Sequence, residues 1–173
     1  MKKSLLITGI LLLFASAPLR AAEPSASPYQ SGEVSLDLFG TASIGQETID
    51  HLSGNRVRHD GRLGLGAGGS WFFTRHFGIE GEAYSENTHH SFVDDASLNF
   101  QARLPIGDSC VAPYGLIGAG RQLDPIHLWH WQVGAGVEFR LRPNVGLFLD
   151  GRYVMAEEGV NYGLGRLGVR IRF

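Results

Sequence analysis

Cysteine is almost missing from this chain: Cys110 is the only one in 173 residues, so no intrachain disulfide can staple the fold. Lysine disappears after Lys3, and every later basic residue is arginine. There is no surplus of positive charge, with 15 Lys+Arg against 17 Asp+Glu, which excludes the basic footprint of a nucleic-acid binder. Beyond the first 20 or so residues, no apolar run is long enough for a transmembrane helix. A mature chain that meets a membrane must therefore do so with strands. What is abundant is glycine, at 24 residues, which argues against helices because an interior glycine costs a helix about 1 kcal/mol relative to alanine.

The N-terminus has the parts of a secretory leader. Lys2 and Lys3 form a positive start, Leu5 to Phe14 an apolar stretch, and Ala15, Ser16, Ala17, Ala21 and Ala22 offer small residues for cleavage. Residues 1–22 read as a signal peptide cut after Ala21 or Ala22. No cysteine ends it, so a lipid anchor is not supported. Residues 23–32 read as a polar Pro/Ser linker, and 33–173 as one domain.

That domain alternates with period two. From Trp129 to Arg142, Trp129, Trp131, Val133, Ala135, Val137, Phe139 and Leu141 share one parity; His130, Gln132, Gly134, Gly136, Glu138, Arg140 and Arg142 share the other. A helix would scatter both sets, whereas a strand separates them. Ala96, Leu98, Phe100, Ala102 and Leu104 likewise oppose Asp95, Ser97, Asn99, Gln101 and Arg103. Leu63, Leu65, Ala67 and Trp71 oppose Arg62, Gly64, Gly66, Gly68 and Ser70. Eight such strands follow one another, most of about 9–12 residues, the length that a tilted strand needs to cross a bilayer. The links at 74–76, 105–110 and 143–144 are short; those at 45–60, 85–94, 121–127 and 155–161 are mostly longer. Tight turns on one rim and longer loops on the other form the outer-membrane pattern. The expected fold is all-β, an eight-stranded antiparallel up-and-down transmembrane β-barrel with both termini on the short-turn, periplasmic side.

Period two does not by itself say which face points outward. A soluble lipocalin-like barrel would bury the apolar set; a membrane barrel turns it to lipid. Three features favour the second. Aromatics of the apolar set gather near strand ends as a girdle: Trp71, Phe77 and Tyr114 toward the turns, Trp129, Trp131 and Tyr153 toward the loops. The polar set is rich in glycine, which leaves room for long side chains in a narrow lumen. Its bases are all arginine, suited to bidentate pairing with carboxylates. The expected internal charge network is Asp37, Arg62, Glu80, Glu82, Arg103, Glu138, Arg140, Asp150, Arg152, Arg166, Arg170 and Arg172. A lumen so filled would be plugged.

The segments "VAPYGLIGAG" (111–120), "WQVGAGVEFRLRPNVGLFLDGRY" (131–153) and the terminal "RLGVRIRF" resemble the outer-membrane β-barrel superfamily of OmpA-like and OmpX-like proteins. The resemblance spans about residues 33–173. It implies an outer-membrane location, outer-membrane lipid and lipopolysaccharide as surroundings, and a monomer. It also implies that Val169, Ile171 and Phe173 act as the recognition signal for the barrel-assembly machinery. The family's roles include structural proteins, adhesins, host-interaction proteins and a few lipid A enzymes.

Catalysis has weak support. Small barrels similar to lipid A deacylases carry a His and a Ser two residues apart near the outer end of the penultimate strand; Arg152 and Val154 stand at those places, and Glu157 and Glu158 have no nucleophile to orient. A pairing of Ser91 with His89 or His90 rests on loop proximity alone. His51, His59, His89, His90, His127 and His130 cluster toward the loop side without compact metal-ligand spacing, so neither metal nor cofactor is expected. Gly64 to Gly69 reads G-x-G-x-G-G but continues as a strand, which excludes a dinucleotide site. The sequence thus points to a non-enzymatic structural or surface-interacting barrel, with a lipid A-modifying enzyme or a soluble binding barrel as the alternatives.

Overall fold

The computed structural model describes residues 28–49, 56–59, 62–86, 93–123 and 127–173. The signal-peptide reading of residues 1–22, and the loop residues His51, His89, His90 and Ser91, lie outside them. The described residues form ten strands: β1 (Glu33–Ile44), β2 (Gln46–Ile49), β3 (Arg56–His59), β4 (Arg62–Phe72), β5 (Phe77–Ser85), β6 (Asp95–Arg103), β7 (Val111–Gln122), β8 (Trp129–Arg142), β9 (Val145–Ala156) and β10 (Asn161–Arg172). Eight of them close a barrel in the order β1-β10-β9-β8-β7-β6-β5-β4, every pairing antiparallel. Closure leaves no unpaired edge, the condition for backbone to cross hydrocarbon. The only helical piece among the described residues is a single 3-10 turn, Glu157–Gly159.

The first long loop carries structure of its own. Gly45, at φ 75°, breaks β1 from a short hairpin in which β2 pairs with β3 from Gln46↔His59 to Ile49↔Arg56. A glycine is suited to that left-handed position. At the opposite rim, β8 and β9 are joined by the two-residue turn Pro143–Asn144, with a register shift between Arg140 and Arg142.

The two faces are inverted relative to a soluble protein. Leu63, Leu65, Leu98 and Trp131 are 74%, 78%, 62% and 65% exposed, whereas Arg103 and Arg166 are 1% exposed. Inside, the filling is mixed: Phe39, Tyr84, Tyr114, Leu116, Phe148, Val154, Tyr162 and Leu164 form a buried apolar cluster among the charges. The surface between the aromatic ends is an apolar belt in which leucine, valine and isoleucine alternate with alanine, glycine and Phe100; water would penalise its exposed hydrocarbon by about 25 cal/mol per Å², and lipid does not.

Candidate functional site

The interior is built from the inward parity of all eight barrel strands. Seven acids are buried there: Glu33, Asp37, Glu80, Glu82, Asp95, Glu138 and Asp150. Facing them are the buried arginines Arg103, Arg140, Arg152, Arg166 and Arg170, with Arg172 half-buried beneath and His130 above. Three layers result.

At the turn side, Glu33 gathers three arginines. Arg103 Nη1 lies 2.7 Å from Glu33 Oε2, Arg140 Nη2 3.3 Å from the same oxygen, and Arg172 Nη1 2.9 Å from Oε1. Arg140 also reaches Glu138 Oε1 at 2.6 Å. Tyr29 is inserted between Arg103 and Arg140, each guanidinium 4.9 Å from the ring centre. Its hydroxyl donates to the carbonyls of Cys110 at 2.9 Å and Glu138 at 3.1 Å. Burial, then the charge of Glu138, pushes the phenol far above its ordinary pKa, which keeps it a donor. Arg103 and Arg172 hold the carbonyls of Gln30 and Pro28. Residues 28–30, polar in composition and without periodicity, thus pack against the barrel base.

The middle layer is the densest. Arg170 grips Asp37 bidentately, at 2.8 Å for both Nε–Oδ1 and Nη2–Oδ2, and reaches Glu138 at 2.9 Å. Arg166 reaches Asp150 at 2.7 Å, Glu82, and Glu80 at 3.5 Å. Arg152 binds the same three acids: Asp150 at 3.1 Å, Glu80 at 3.3 Å, and Glu82. Arg166 and Arg170 are also stacked on rings. Arg166 lies 4.7 Å from the Phe39 ring centre and 5.2 Å from that of Phe148; Arg103 lies 3.8 Å from that of Phe72. Such contacts strengthen when desolvated. Neutral groups also bond these carboxylates: Tyr114 donates to Asp150 at 2.6 Å, Gln101 to Glu80 at 2.6 Å, and Ser97 to Glu82 at 2.8 Å.

The loop-side layer is sparser in charge. Gln132 donates to Asn99 at 2.6 Å and to Ser97 at 2.9 Å; Tyr84 and Tyr162 place their hydroxyls 3.3 Å apart. His130 Nε2 sits 2.8 Å from Asp95 Oδ2. At the rim, Glu86 accepts from Ser43 Oγ at 3.3 Å. Burial raises its carboxyl pKa to about 7, with the Ser43 hydrogen bond and Arg62 pulling the other way.

Against the sequence expectations, the inward acids and arginines from Asp37 to Arg170 meet in one connected array. Arg62 does not join it: it is half-exposed at the loop rim, where Glu86 is the acid it faces. Glu33 was missed because it opens a strand whose first recognisable alternation is Val34, Leu36, Leu38. Tyr114 is a correction. It is 4% exposed and points inward, so it is no girdle residue. On β7 the inward parity is Ala112, Tyr114, Leu116, Gly118, Gly120 and Gln122, with the Tyr114 phenol donating to Asp150 and Ala112, Gly118 and Gly120 as the small members. Trp71, Phe77, Trp129, Trp131 and Tyr153 are exposed on the outer face. At the C-terminus Val169 and Ile171 are half-buried, and Phe173 is exposed beyond β10.

Arg152 and Val154, at the places of a deacylase His and Ser, are both buried in the lumen, and Arg152 is committed to three carboxylates. His130 is a lumen residue paired with Asp95, not a solvated loop histidine. Among the described residues, no group of three or more His, Cys, Asp and Glu could hold a metal ion.

A sequence comparison with curated proteins finds no match. Solved structures do resemble the chain in fold. The N-terminal β-barrel domain of Pseudomonas aeruginosa OprF superposes with TM-score 0.65 at 14% identity, over 83% of this chain and 99% of that one. A de novo designed transmembrane β-barrel gives 0.61 at 12% identity, over 83% and 98%. Neisserial surface protein A gives 0.54 at 16% identity, over 82% and 96%. A designed barrel in this company makes the point that the likeness is one of fold alone. The family model described as "Outer membrane protein beta-barrel domain" matches residues 8–173, so the chain belongs to the outer-membrane β-barrel family.

Proposed function

We propose that this protein is a monomeric, non-enzymatic outer-membrane barrel whose interior is a sealed structural plug and whose loop side, led by the 45–60 segment, faces the surroundings in a structural or surface-interacting role. The observation that carries this reading is the shared grip of Arg152 and Arg166 on Glu80, Glu82 and Asp150, which fills the middle of the lumen with side chains that neutralise one another. In an eight-stranded barrel the interior is only wide enough for side chains, and here stacked aromatics and Tyr29 at the base occupy what the charges leave. Such a lumen serves rigidity rather than transport.

In this reading residues 1–22 are the export signal, and Val169, Ile171 and Phe173 present the assembly machinery with an apolar end to the last strand. Lipopolysaccharide surrounds the loop-side girdle. Arg152 and Val154 stand where a deacylase would carry its His and Ser, so that arrangement has neither base nor nucleophile. Refolded protein in planar bilayers is expected to give no stable large conductance. Long-lived nanosiemens channels would overturn the plug. Lipid A from cells with and without the gene is expected to have the same mass spectrum; a gene-dependent loss or gain of an acyl chain would restore the enzyme reading.

A further inference from the structure

Apart from Ser85 and Asn161 at loop-side strand ends, the outward parity of the described barrel strands is apolar, and one charge interrupts it. Arg121 is exposed on β7, in register with Trp129 of β8 on one side and Ala96 of β6 on the other. The other exposed barrel-strand arginine among the described residues, Arg142, ends β8 past its register shift, beside the short turn and away from the belt. A charge on the lipid face is costly at mid-depth and nearly free at the interface, so Arg121 must sit at headgroup level. Trp129, 57% exposed beside it, fixes the same depth, since indoles concentrate there.

The guanidinium lies 5.5 Å from the Trp129 ring centre. No hydrogen bond among the described residues uses its N–H groups. Among the described residues no carboxylate forms an ion pair with it: Glu157, held beside Trp129, accepts from that residue's backbone N–H at 3.2 Å. On the side away from the indole, Arg121 pairs with Ala96, and Ala96 with Ala83. Short side chains there leave open the approach to the guanidinium edge. We propose that Arg121 and Trp129 form a binding site for the phosphate of a membrane lipid in the leaflet that surrounds the loop rim.

The fork of an arginine matches two phosphate oxygens, and the position selects a lipid over a soluble anion. Trp131 and Leu98, 65% and 62% exposed next to the site, demand an occupant that brings acyl chains with its phosphate. The inference rests on the reading that the strands span a bilayer, and the experiment separates the two.

A Trp71→Phe, Trp131→Phe variant keeps Trp129 as its only tryptophan. It is refolded into phosphatidylcholine vesicles doped with either brominated phosphatidic acid or brominated phosphatidylcholine at equal mole fraction. Brominated phosphatidic acid is expected to be enriched at Trp129 by about fivefold, the bias that one basic residue exerts at a lipid surface. Arg121→Gln is expected to abolish the bias, Arg121→Lys to keep part of it, and a companion variant retaining only Trp71, on the other rim, to have none. Inorganic phosphate should leave the bias in place; its loss on adding phosphate would assign the site to soluble anions and overturn the lipid assignment. Equal quenching by both lipids, or a bias that survives in Arg121→Gln, would also overturn it. If the strands did not enter the bilayer, neither lipid would quench Trp129, a result distinct from equal quenching by both.

Discussion

On β9, Asp150 and Arg152 point into the barrel while Leu149, Gly151 and Tyr153 point out of it, and the same backbone thereby serves two different chemistries. Inward groups are specified by their partners: Asp150 contacts Arg152, Arg166 and Tyr114, three side chains from three strands. Outward groups are specified only by the solvent they meet. The contrast teaches that the inner face is a coupled network, in which one loss strands several neighbours, whereas the outer face is close to a sum of independent residues.

The largest effect belongs to the inner face. Arg166→Met removes the cation shared by Glu80, Glu82 and Asp150, and uncompensated buried charge of this kind costs about 3–5 kcal/mol. Urea unfolding in lipid vesicles should lose stability on that scale. Combining Arg166→Met with Asp150→Asn should cost much less than the sum of the two singles, because the second change removes one orphan made by the first. Strict additivity would mean that the network is not coupled.

The outer face should respond to depth instead. Leu149, 54% exposed in the apolar belt, replaced by arginine should cost about 2–4 kcal/mol in the same assay, whereas Leu141→Arg at the short-turn end should cost about 0–1. Equal costs at both sites would sink the claim that lipid, rather than local packing, sets the outward sequence.

Glycines sharpen the contrast further, because their use differs between the faces. A Cβ built on Gly136, which points inward, would fall 2.5 Å from Asp150 Cβ and 2.8 Å from Tyr114 Cζ; one built on Gly151, which points outward, meets nothing within 4 Å. Gly136→Val should therefore cost about 1–3 kcal/mol through overpacking. Gly151→Val should be neutral or stabilising by about 0.5–1 kcal/mol, since valine suits a strand that glycine weakens. Matched melting temperatures for the two variants would contradict the assignment of faces.

Much of this architecture was legible because charge labels the inside. Wherever a strand carries an acid or arginine at alternate positions, as in Glu80–Glu82 or Arg166–Arg170, parity settles which side chains face the lumen. It fails on β7, where apolar and small residues stand on both parities and the one cation, Arg121, points outward. Pairing of Tyr114 with Asp150 on a strand two places away is a contact of the closed barrel, invisible in local alternation. The stacked rings were readable in principle, since Phe39 shares the parity of Asp37, and Phe148 that of Asp150. Tyr29 was not: it lies outside any strand, and only the three-dimensional base of the barrel, where Arg103 and Arg140 flank it, gives it a role.

The smallest predicted effect lies at the loop rim, where the two faces meet water and the network ends. Glu86 has its carboxyl pKa raised from 4.5 to about 7, mainly by burial, with Arg62 and Ser43 only partly offsetting it. The folded state therefore holds this proton over a range of pH in which the unfolded chain has released it. Stability from this group is present in full below pH 4.5 and declines as pH rises toward 7, the opposite sign to a salt-bridged carboxylate. Unfolding free energies measured at pH 5 and pH 8 should differ by less in Glu86→Gln than in the parent, and the variant should gain most at pH 8. An unchanged pH slope would place the titrating carboxyl elsewhere and make the rim electrostatically silent, leaving the inner network without a graded boundary toward water.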